Sequence, residues 1–258
     1  MKTVVARTSL LYISIIVIGL MLAGISYAKI DPKTCVGLWL FDENSGNVAK
    51  DSSGNGVDGT LKGNPKRVAG KFGNALEFNG KDSCVATEQR LLELVEEFTI
   101  VVWANPGDIT ASRVGLVGQN DAPEFGFINP NTIQLWTPTA GGLDVTYNHP
   151  KKEWHHIAGT ASKKFTRVYI DGKVNEKAGA FANQGSSTYN VNIGGCGVYD
   201  PDGNWFTGVL DEVAIFHAAL EDNDIKTIMN DGLGKTMGLT AVSPAGKLAT
   251  SWGQIKNQ

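Results

Sequence analysis

Hydrophobic and polar residues alternate along short segments of this chain, as they do in β-strands. The clearest segment, residues 207–216, reads Thr-Gly-Val-Leu-Asp-Glu-Val-Ala-Ile-Phe. A period of two puts Asp211 on one face of this strand and Glu212 on the other, each beside apolar neighbours. Because both faces are mostly apolar, we predict an inner strand that is covered on both sides. A buried carboxylate is costly unless it is paired, hydrogen-bonded or bound to a metal ion, so the function depends on what these two acids contact.

Further short strands fill most of the remaining sequence, between clusters of Gly, Asn, Asp and Ser. The strongest hairpin signal is Asp171-Gly172. One helix is predicted at residues 221–230, because Ile225 and Ile228 have helical spacing and Gly232 follows the end; residues 91–97 are a weaker candidate for a helical turn. The other predicted strands are residues 36–41, 75–78, 83–87, 98–104, 115–118, 125–128, 132–137, 154–160, 167–170, 173–176 and 191–193.

This succession of strands predicts an all-β sandwich or barrel with a short C-terminal helix. Residues 1–28 have the pattern of a secretory signal peptide, with Lys2 and Arg7 before an apolar run and small residues before a cleavage site. An uncleaved N-terminal anchor is the alternative, although the apolar run is shorter than the roughly 20 residues that span a membrane. We therefore divide the chain into a signal peptide (1–28), one domain (29–233) and a polar C-terminal tail (234–258).

Charge and cysteine content narrow the function classes. The formal net charge of −3 leaves no basic surface for a phosphate backbone, so we expect no nucleic-acid partner. In an exported chain, Cys35, Cys84 and Cys196 allow one disulfide and one free thiol, and their spacing leaves the pairing open. We expect a secreted, periplasmic or cell-surface monomer that does not stay inserted in a membrane after signal cleavage.

Several short motifs occur in the order that is typical of laminin-G-like, concanavalin A-like domains. The resemblance extends from about residue 36 to about residue 232 and implies an exported, two-sheet antiparallel jelly roll that often binds calcium and serves carbohydrate or protein adhesion. The motifs are Leu-Trp-Leu-Phe-Asp-Glu (38–43), Asp-Ser-Ser-Gly-Asn-Gly (51–56), Leu-Glu-Phe-Asn-Gly (76–80), Phe-Thr-Ile (98–100), Trp103, Trp-His-His (154–156), Tyr-Ile-Asp-Gly (169–172) and Gly-Val-Leu-Asp-Glu-Val (208–213).

A structural calcium ion is the first expectation that the resemblance supports. In similar jelly rolls the first and last strands run side by side, and an acid after the first strand, a turn and an acid of the last strand meet at one ion. Calcium takes six to eight oxygen ligands. The matching positions are Asp42 or Glu43, Asp51, the backbone near Gly54 or Asn55, and Asp211. Alternatively, Asp51 forms an Asx-turn and Asp211 caps turn amides; Glu212 is assigned a structural role.

Carbohydrate binding is the leading functional expectation, because sugar rings stack on exposed aromatic side chains beside polar groups. Trp39 and Trp103 lie within predicted strands and are expected in the core. Aromatic residues next to turns are better candidates, although isolated surface aromatics need no functional reason. The predicted ligand-binding residues are Trp136, Trp205, Tyr199 and Asp202.

Catalysis is disfavoured by the arrangement of the acids. Glycoside hydrolysis needs two carboxyl groups facing one sugar, whereas Asp211 and Glu212 are adjacent and point to opposite faces. A zinc site at His155 and His156 would require His149 to fold back toward them, and packed histidines are commoner than zinc ligands. We therefore predict a non-catalytic, calcium-stabilised module that binds carbohydrate or an extracellular protein; a structural adhesion module and a glycan-active enzyme are the alternatives.

Overall fold

Two eight-stranded sheets form the fold in the computed structural model, which describes residues 30–179, 185–200 and 204–239. All strand pairs in both sheets are antiparallel. The first sheet contains β1 (Cys35–Trp39), β4 (Lys66–Ala69), β5 (Asn74–Asn79), β7 (Phe98–Pro106), β12 (His155–Ala161), β13 (Phe165–Ile170), β14 (Lys173–Ala178) and β16 (Thr207–Phe216). The second contains β2 (Val48–Ala49), β3 (Gly59–Lys62), β6 (Cys84–Ala86), β8 (Val114–Gln119), β9 (Glu124–Asn129), β10 (Thr132–Thr137), β11 (Gly141–Thr146) and β15 (Val191–Ile193).

The main hydrophobic core lies between the two sheets. The first sheet runs in the order β14-β13-β12-β7-β16-β5-β4, and β1 also pairs with β16; the second runs β11-β10-β9-β8-β15-β6-β3-β2. Alternate residues of each strand face inward, for example Ile100 of β7 and Phe125 of β9, both fully buried. The predicted two-sheet antiparallel sandwich is therefore confirmed, and the predicted pairing of the first and last strands is observed.

Two helices cover the outer face of the first sheet. The predicted helix is present as α1 (Asp222–Asp231), capped by Glu221 and ending at Gly232, and α2 (Leu233–Thr236) follows at once. Ile225 of α1 and Leu233 of α2 join a second, separate hydrophobic cluster with outward residues of the sheet such as Phe216. Among the described residues, no helix is long and apolar enough to cross a membrane.

Most of the predicted strands are present with small shifts at their ends, but some elements differ. The short strands β2, β3, β4 and β11 were not predicted, and residues 91–97 form turns without a helix. The predicted domain end at residue 233 falls at the first residue of α2. The predicted signal peptide and most of the predicted C-terminal tail lie outside the described residues. Cys84 and Cys196 form the disulfide, and Cys35 is a buried free thiol.

The predicted alternation is wrong at the two central acids, because β16 contains a β-bulge there. The pairing of β16 with β7 shifts between Asp211 and Ala214, and Glu212 has a positive φ of 48°. Leu210 and Val213 both face the main core, so the bulge absorbs one residue between them. Asp211 and Glu212 therefore do not point to opposite sides. Both lie on the outer side of the first sheet, where backbone amides of Phe72 and Leu233 reach their carboxylates.

Candidate functional site

An open cleft lies on the outer face of the second sheet. Its volume is about 690 Å³, and its lining comes from β3, β6, β15 and the segments beside them. Polar side chains and one aromatic ring dominate this lining: Lys62, Glu88, Tyr189, Asn190 and Asn192. Such a mixture offers a ring face for stacking and several donors and acceptors for hydroxyl groups.

Strand alternation places these side chains on the outer face. Val191 and Ile193 of β15 belong to the main core, so Asn192 between them points outward. Asn192 lies opposite Ala86 of β6 on one side, where the small side chain leaves room above the sheet, and opposite Gly118 of β8 on the other, where Val198 packs over the glycine. The Asn192 side-chain amide donates to the Asn190 carbonyl at 3.2 Å, which orients it along the cleft.

Residues 194–200 follow β15, cross the same face and form one wall of the cleft; they are called the crossing segment below. The Cys84–Cys196 disulfide fixes this segment to β6, and Cys196 and Gly197 line the cleft directly. Further along, Asp200 accepts hydrogen bonds from the Arg113 side chain at 3.0 and 3.2 Å and from Asn204 at 2.8 Å. The crossing segment thus divides the outer face into the cleft on one side and the surface of β9, β10 and β11 on the other.

Three of the predicted ligand-binding residues can be placed, and they differ in accessibility. Tyr199 is only 2% exposed, and its hydroxyl donates to the Gln134 carbonyl at 3.2 Å, so it supports the crossing segment and offers no free ring face. Trp205 is half-buried against Gly195. Trp136 is half-buried on the outward side of β10, opposite Gly142 of β11. Asp202 lies outside the described residues.

Trp136 lies opposite Gly142, and the Gln134 side chain packs over that glycine. On its other side Trp136 pairs across the sheet with Glu124 of β9. Burial raises the pKa of Glu124 to about 7, although the amide of Asp121 donates to its carboxylate. A carboxyl group with such a pKa can donate a proton at neutral pH. The other acid nearby, Asp200, already forms an ion pair with Arg113. Glycoside hydrolysis needs a second free carboxyl group across the sugar.

The predicted calcium ligands Asp51 and Asn55 form hydrogen bonds with their own turn and with β1. One carboxylate oxygen of Asp51 accepts from the amides of Leu38 and Ser53, and the other accepts from the Ser53 hydroxyl and the amides of Asn55 and Val57. Burial alone would raise the pKa of Asp51, but these hydrogen bonds lower it below its usual value. The side chain of Asn55 donates to the Cys35 carbonyl. This is the Asx-turn arrangement that the sequence offered as the alternative.

Asp42 and Asp211 are likewise engaged with backbone amides of the connection between β4 and β5. Asp42 accepts from the amide of Asn74 and Asp211 from the amide of Phe72, each at 2.9 Å. Within the described part of the chain, the one grouping of three or more His, Cys, Asp or Glu side chains with converging ligand atoms lies elsewhere. The carboxylates of Asp42, Asp51 and Asp211 thus each accept backbone amides, and the calcium site stays a prediction.

The residues of the cleft were not singled out from the sequence. Lys62 lies on a strand that was not predicted, and Glu88 and Tyr189 lie beside short strands far apart in sequence. The available signal was the outward position of Asn192 within residues 191–193, which were predicted as a strand. Its significance depends on knowing that β6 and β3 are the neighbours.

Comparisons with solved structures identify similar folds. Domain 4 of AbnA, a GH43 extracellular arabinanase from Geobacillus stearothermophilus solved with arabinotriose, is 21% identical with a TM-score of 0.56, covering 76% of this chain and 98% of that chain. Trypanosoma rangeli sialidase in complex with sialic acid is 18% identical with a TM-score of 0.58, covering 81% and 34%. The binding domain of botulinum neurotoxin DC in complex with rat synaptotagmin II is 15% identical with a TM-score of 0.56, covering 77% and 52%.

These likenesses show the fold, and this chain spans about a third of the sialidase chain and about half of the toxin chain. A comparison with curated proteins finds no match. A sequence model of the laminin-G type, described as the concanavalin A-like lectin/glucanases superfamily, matches residues 79–226, which is more than half of the chain. Together with the two-sheet jelly roll, this match shows that the chain belongs to the concanavalin A-like lectin/glucanases superfamily.

Proposed function

We propose that this protein is an exported, non-catalytic carbohydrate-binding module whose ligand lies in the cleft on the outer face of the second sheet. The observation that carries the proposal is the cleft itself, in which the Tyr189 ring, two asparagine amides and two opposite charges converge. Sugars present alternating apolar ring faces and hydroxyl groups, and this lining complements both. The arabinotriose complex of a similar domain, almost all of which this chain covers, supports the same ligand class.

Short, neutral segments of polysaccharide fit this cleft better than a single charged sugar. Lys62 and Glu88 carry opposite charges and are both exposed, so the cleft has no strong preference for an anion or a cation. Its openness toward solvent suits an extended chain that enters and leaves along the face. Trp136, on the other side of the crossing segment, is a second ring over which such a chain can continue. Protein recognition is less favoured, because the large apolar side chains exposed in the described residues are few: Leu94, Val174 and Leu239.

The test is a glycan array followed by calorimetric titration of the full chain with arabinotriose and related oligosaccharides, in calcium and in chelator. We expect Tyr189→Ala to weaken binding about tenfold, equivalent to about 1.4 kcal/mol, because the stacking face is removed. Phe165→Ala is the matched control, since Phe165 is a half-buried aromatic of the first sheet. Trp136→Ala shows whether the ligand extends past the crossing segment.

Each outcome has a defined meaning. Binding that is lost in Tyr189→Ala and kept in Phe165→Ala supports the proposal, and its loss in chelator would add calcium as a requirement. Binding that Tyr189→Ala leaves unchanged would exclude this cleft as the site. If no glycan binds in either condition, the carbohydrate proposal is wrong, and protein adhesion or a structural role takes its place. Release of reducing sugars from any bound glycan would contradict the non-catalytic assignment.

A further inference from the structure

Two histidines and an aspartate converge at one end of the first sheet, away from the cleft. His155 is the first residue of β12, Asp171 occupies the turn between β13 and β14, and His149 precedes β12. Their ligand atoms all lie within 4.8 Å of one another. The sequence left open whether His149 folds back toward the start of β12, and the structure shows that it does, with 4.8 Å between the His149 and His155 ring centroids.

Two of the three separations between the ligand atoms are close to those at a tetrahedral metal ion. Asp171 Oδ2 is 2.8 Å from His155 Nδ1 and 3.6 Å from His149 Nδ1. Two ligand atoms, each about 2.1 Å from a tetrahedral zinc ion, lie roughly 3.4 Å apart. The two observed distances fall on either side of that value, and the two histidine nitrogens lie within 4.8 Å of each other, so an ion between the three atoms requires side-chain shifts of about 1 Å.

Hydrogen bonds outside the cluster hold two of the three ligands in the orientation that a metal needs. His155 Nε2 lies 3.2 Å from the Pro150 carbonyl, to which it donates, so the Nδ1 lone pair is directed at Asp171. Asp171 Oδ1 accepts from the His156 amide at 2.9 Å, which leaves Oδ2 facing the histidines. A lone pair and a carboxylate oxygen 2.8 Å apart repel each other unless a cation lies between them, and either a proton or a metal ion can fill that role.

The cluster packs against Tyr147 on one side and is open to water on the other. The Tyr147 ring contacts both imidazoles, with centroid distances of 5.2 Å to His149 and 5.8 Å to His155. The side chain of His155 is 7% exposed, whereas those of His149 and Asp171 are 28% and 36% exposed. One side of the cluster is therefore fixed in the protein and the other is open to water, which can supply a fourth ligand.

We propose that His149, His155 and Asp171 bind a divalent transition-metal ion, with Zn²⁺ as the expected occupant. Two imidazole nitrogens and one carboxylate oxygen form a donor set that suits zinc, whereas calcium takes six to eight oxygens. The ion joins the connection before β12 to the hairpin turn after β13. It is separate from the carbohydrate cleft and does not depend on it.

The test is a calorimetric titration of the metal-stripped, untagged full chain with ZnCl₂, because a polyhistidine tag would itself bind the ion. We expect one Zn²⁺ per chain and a raised melting temperature. His149→Ala and Asp171→Asn should each weaken binding at least about tenfold. Asp171→Asn removes the anionic ligand but keeps an acceptor for the His156 amide and tolerates the positive φ of 49° at this turn.

His217→Ala is the matched control, because His217 is exposed and lies outside the cluster. It should bind Zn²⁺ as the wild type does. A wild-type chain that binds no Zn²⁺ would overturn the proposal, and so would His149→Ala and Asp171→Asn variants that both bind with unchanged affinity. His149 is half-buried in a connecting segment, so its substitution leaves the fold intact and keeps the test decisive even where Asp171→Asn lowers stability.

Discussion

The outer faces of the two sheets are covered to different degrees. On the first sheet, α1 and α2 cover the outward side chains and form a second hydrophobic cluster with them. On the second sheet, the segment after β15 crosses the outer face and leaves a polar cleft beside it. Both sheets share the main core between them, so the inner faces are equivalent. The difference shows that one outer face is closed by packing, whereas the other is open to solvent at the cleft.

The chemistry of the outward positions accounts for this difference. On the first sheet, Val101 and Ala214 point outward and are fully buried by the helices. On the second sheet the outward positions hold Asn192, Gln134 and Trp136, of which the last two stay partly exposed. Apolar outward residues require a cover to be stable in water, whereas polar ones do not. The apolar side chains at the outward positions of the first sheet therefore explain why helices cover that face.

The largest expected effect comes from breaking the covered face with Phe216→Ala. Phe216 is fully buried in the cluster beneath α1 and α2. Removing its ring leaves a cavity, and such substitutions lower the free energy of unfolding by about 3–5 kcal/mol. Urea denaturation followed by fluorescence measures the change.

The matched substitution on the open face is Thr132→Ala. Thr132 is an outward, half-buried residue of β10, and its removal should change the free energy of unfolding by no more than about 0.5 kcal/mol. If Phe216→Ala is equally mild, the helical cover contributes little, and the contrast between the two faces does not hold.

The next effect concerns the segment that crosses the open face. The disulfide between Cys84 and Cys196 closes a loop with a sequence separation of 112 residues. Replacing both cysteines by Ala should lower the free energy of unfolding by about 2–4 kcal/mol, because the unfolded chain gains freedom. It should also weaken glycan binding, since the crossing segment forms a wall of the cleft. Adding a reductant to the wild type should reproduce both changes; unchanged binding would show that the wall does not depend on the disulfide.

The sequence predicted the layers of this fold better than it predicted the sites. Alternation identified β15 and β16, and the spacing of Ile225 and Ile228 identified α1, because these signals are local. The bulge at Glu212 has no such signal, since it depends on the partner strand β7. Strands as short as β2 bury too few residues to show a period.

The sites depend on contacts between distant parts of the chain. Lys62 and Tyr189 meet in the cleft because β3, β6 and β15 are neighbours in the sheet, an order that local patterns do not contain. The calcium set was inferred from a resemblance, and Asp51 instead satisfies the amides of its own turn. The return of His149 to His155 likewise depends on the path of the connecting segment.

The last prediction concerns a buried acid on the outer side of the first sheet, and its effect depends on pH. Asp211 is fully buried, and its Oδ1 has no hydrogen-bond partner among the described residues. Burial raises its pKa from 3.8 to about 8, so the folded chain holds a proton there at neutral pH whereas the unfolded chain does not. The resulting stabilisation is fully present below about pH 4 and is lost as the pH rises toward 8.

Asp211→Asn separates this effect from every other titrating group. Asparagine keeps the shape of the neutral side chain and does not titrate, so the variant should gain stability relative to the wild type as the pH rises from 5 to 8. The relative gain is at most about 1.4 kcal/mol per pH unit, and urea denaturation in chelator at several pH values measures it. If the free energy of unfolding changes with pH in the same way for the wild type and for Asp211→Asn, then Asp211 is ionised when folded. The covered face would then contain a buried charge stabilised by the Phe72 amide and its neighbours, and the contrast with the open face would be one of access to solvent alone.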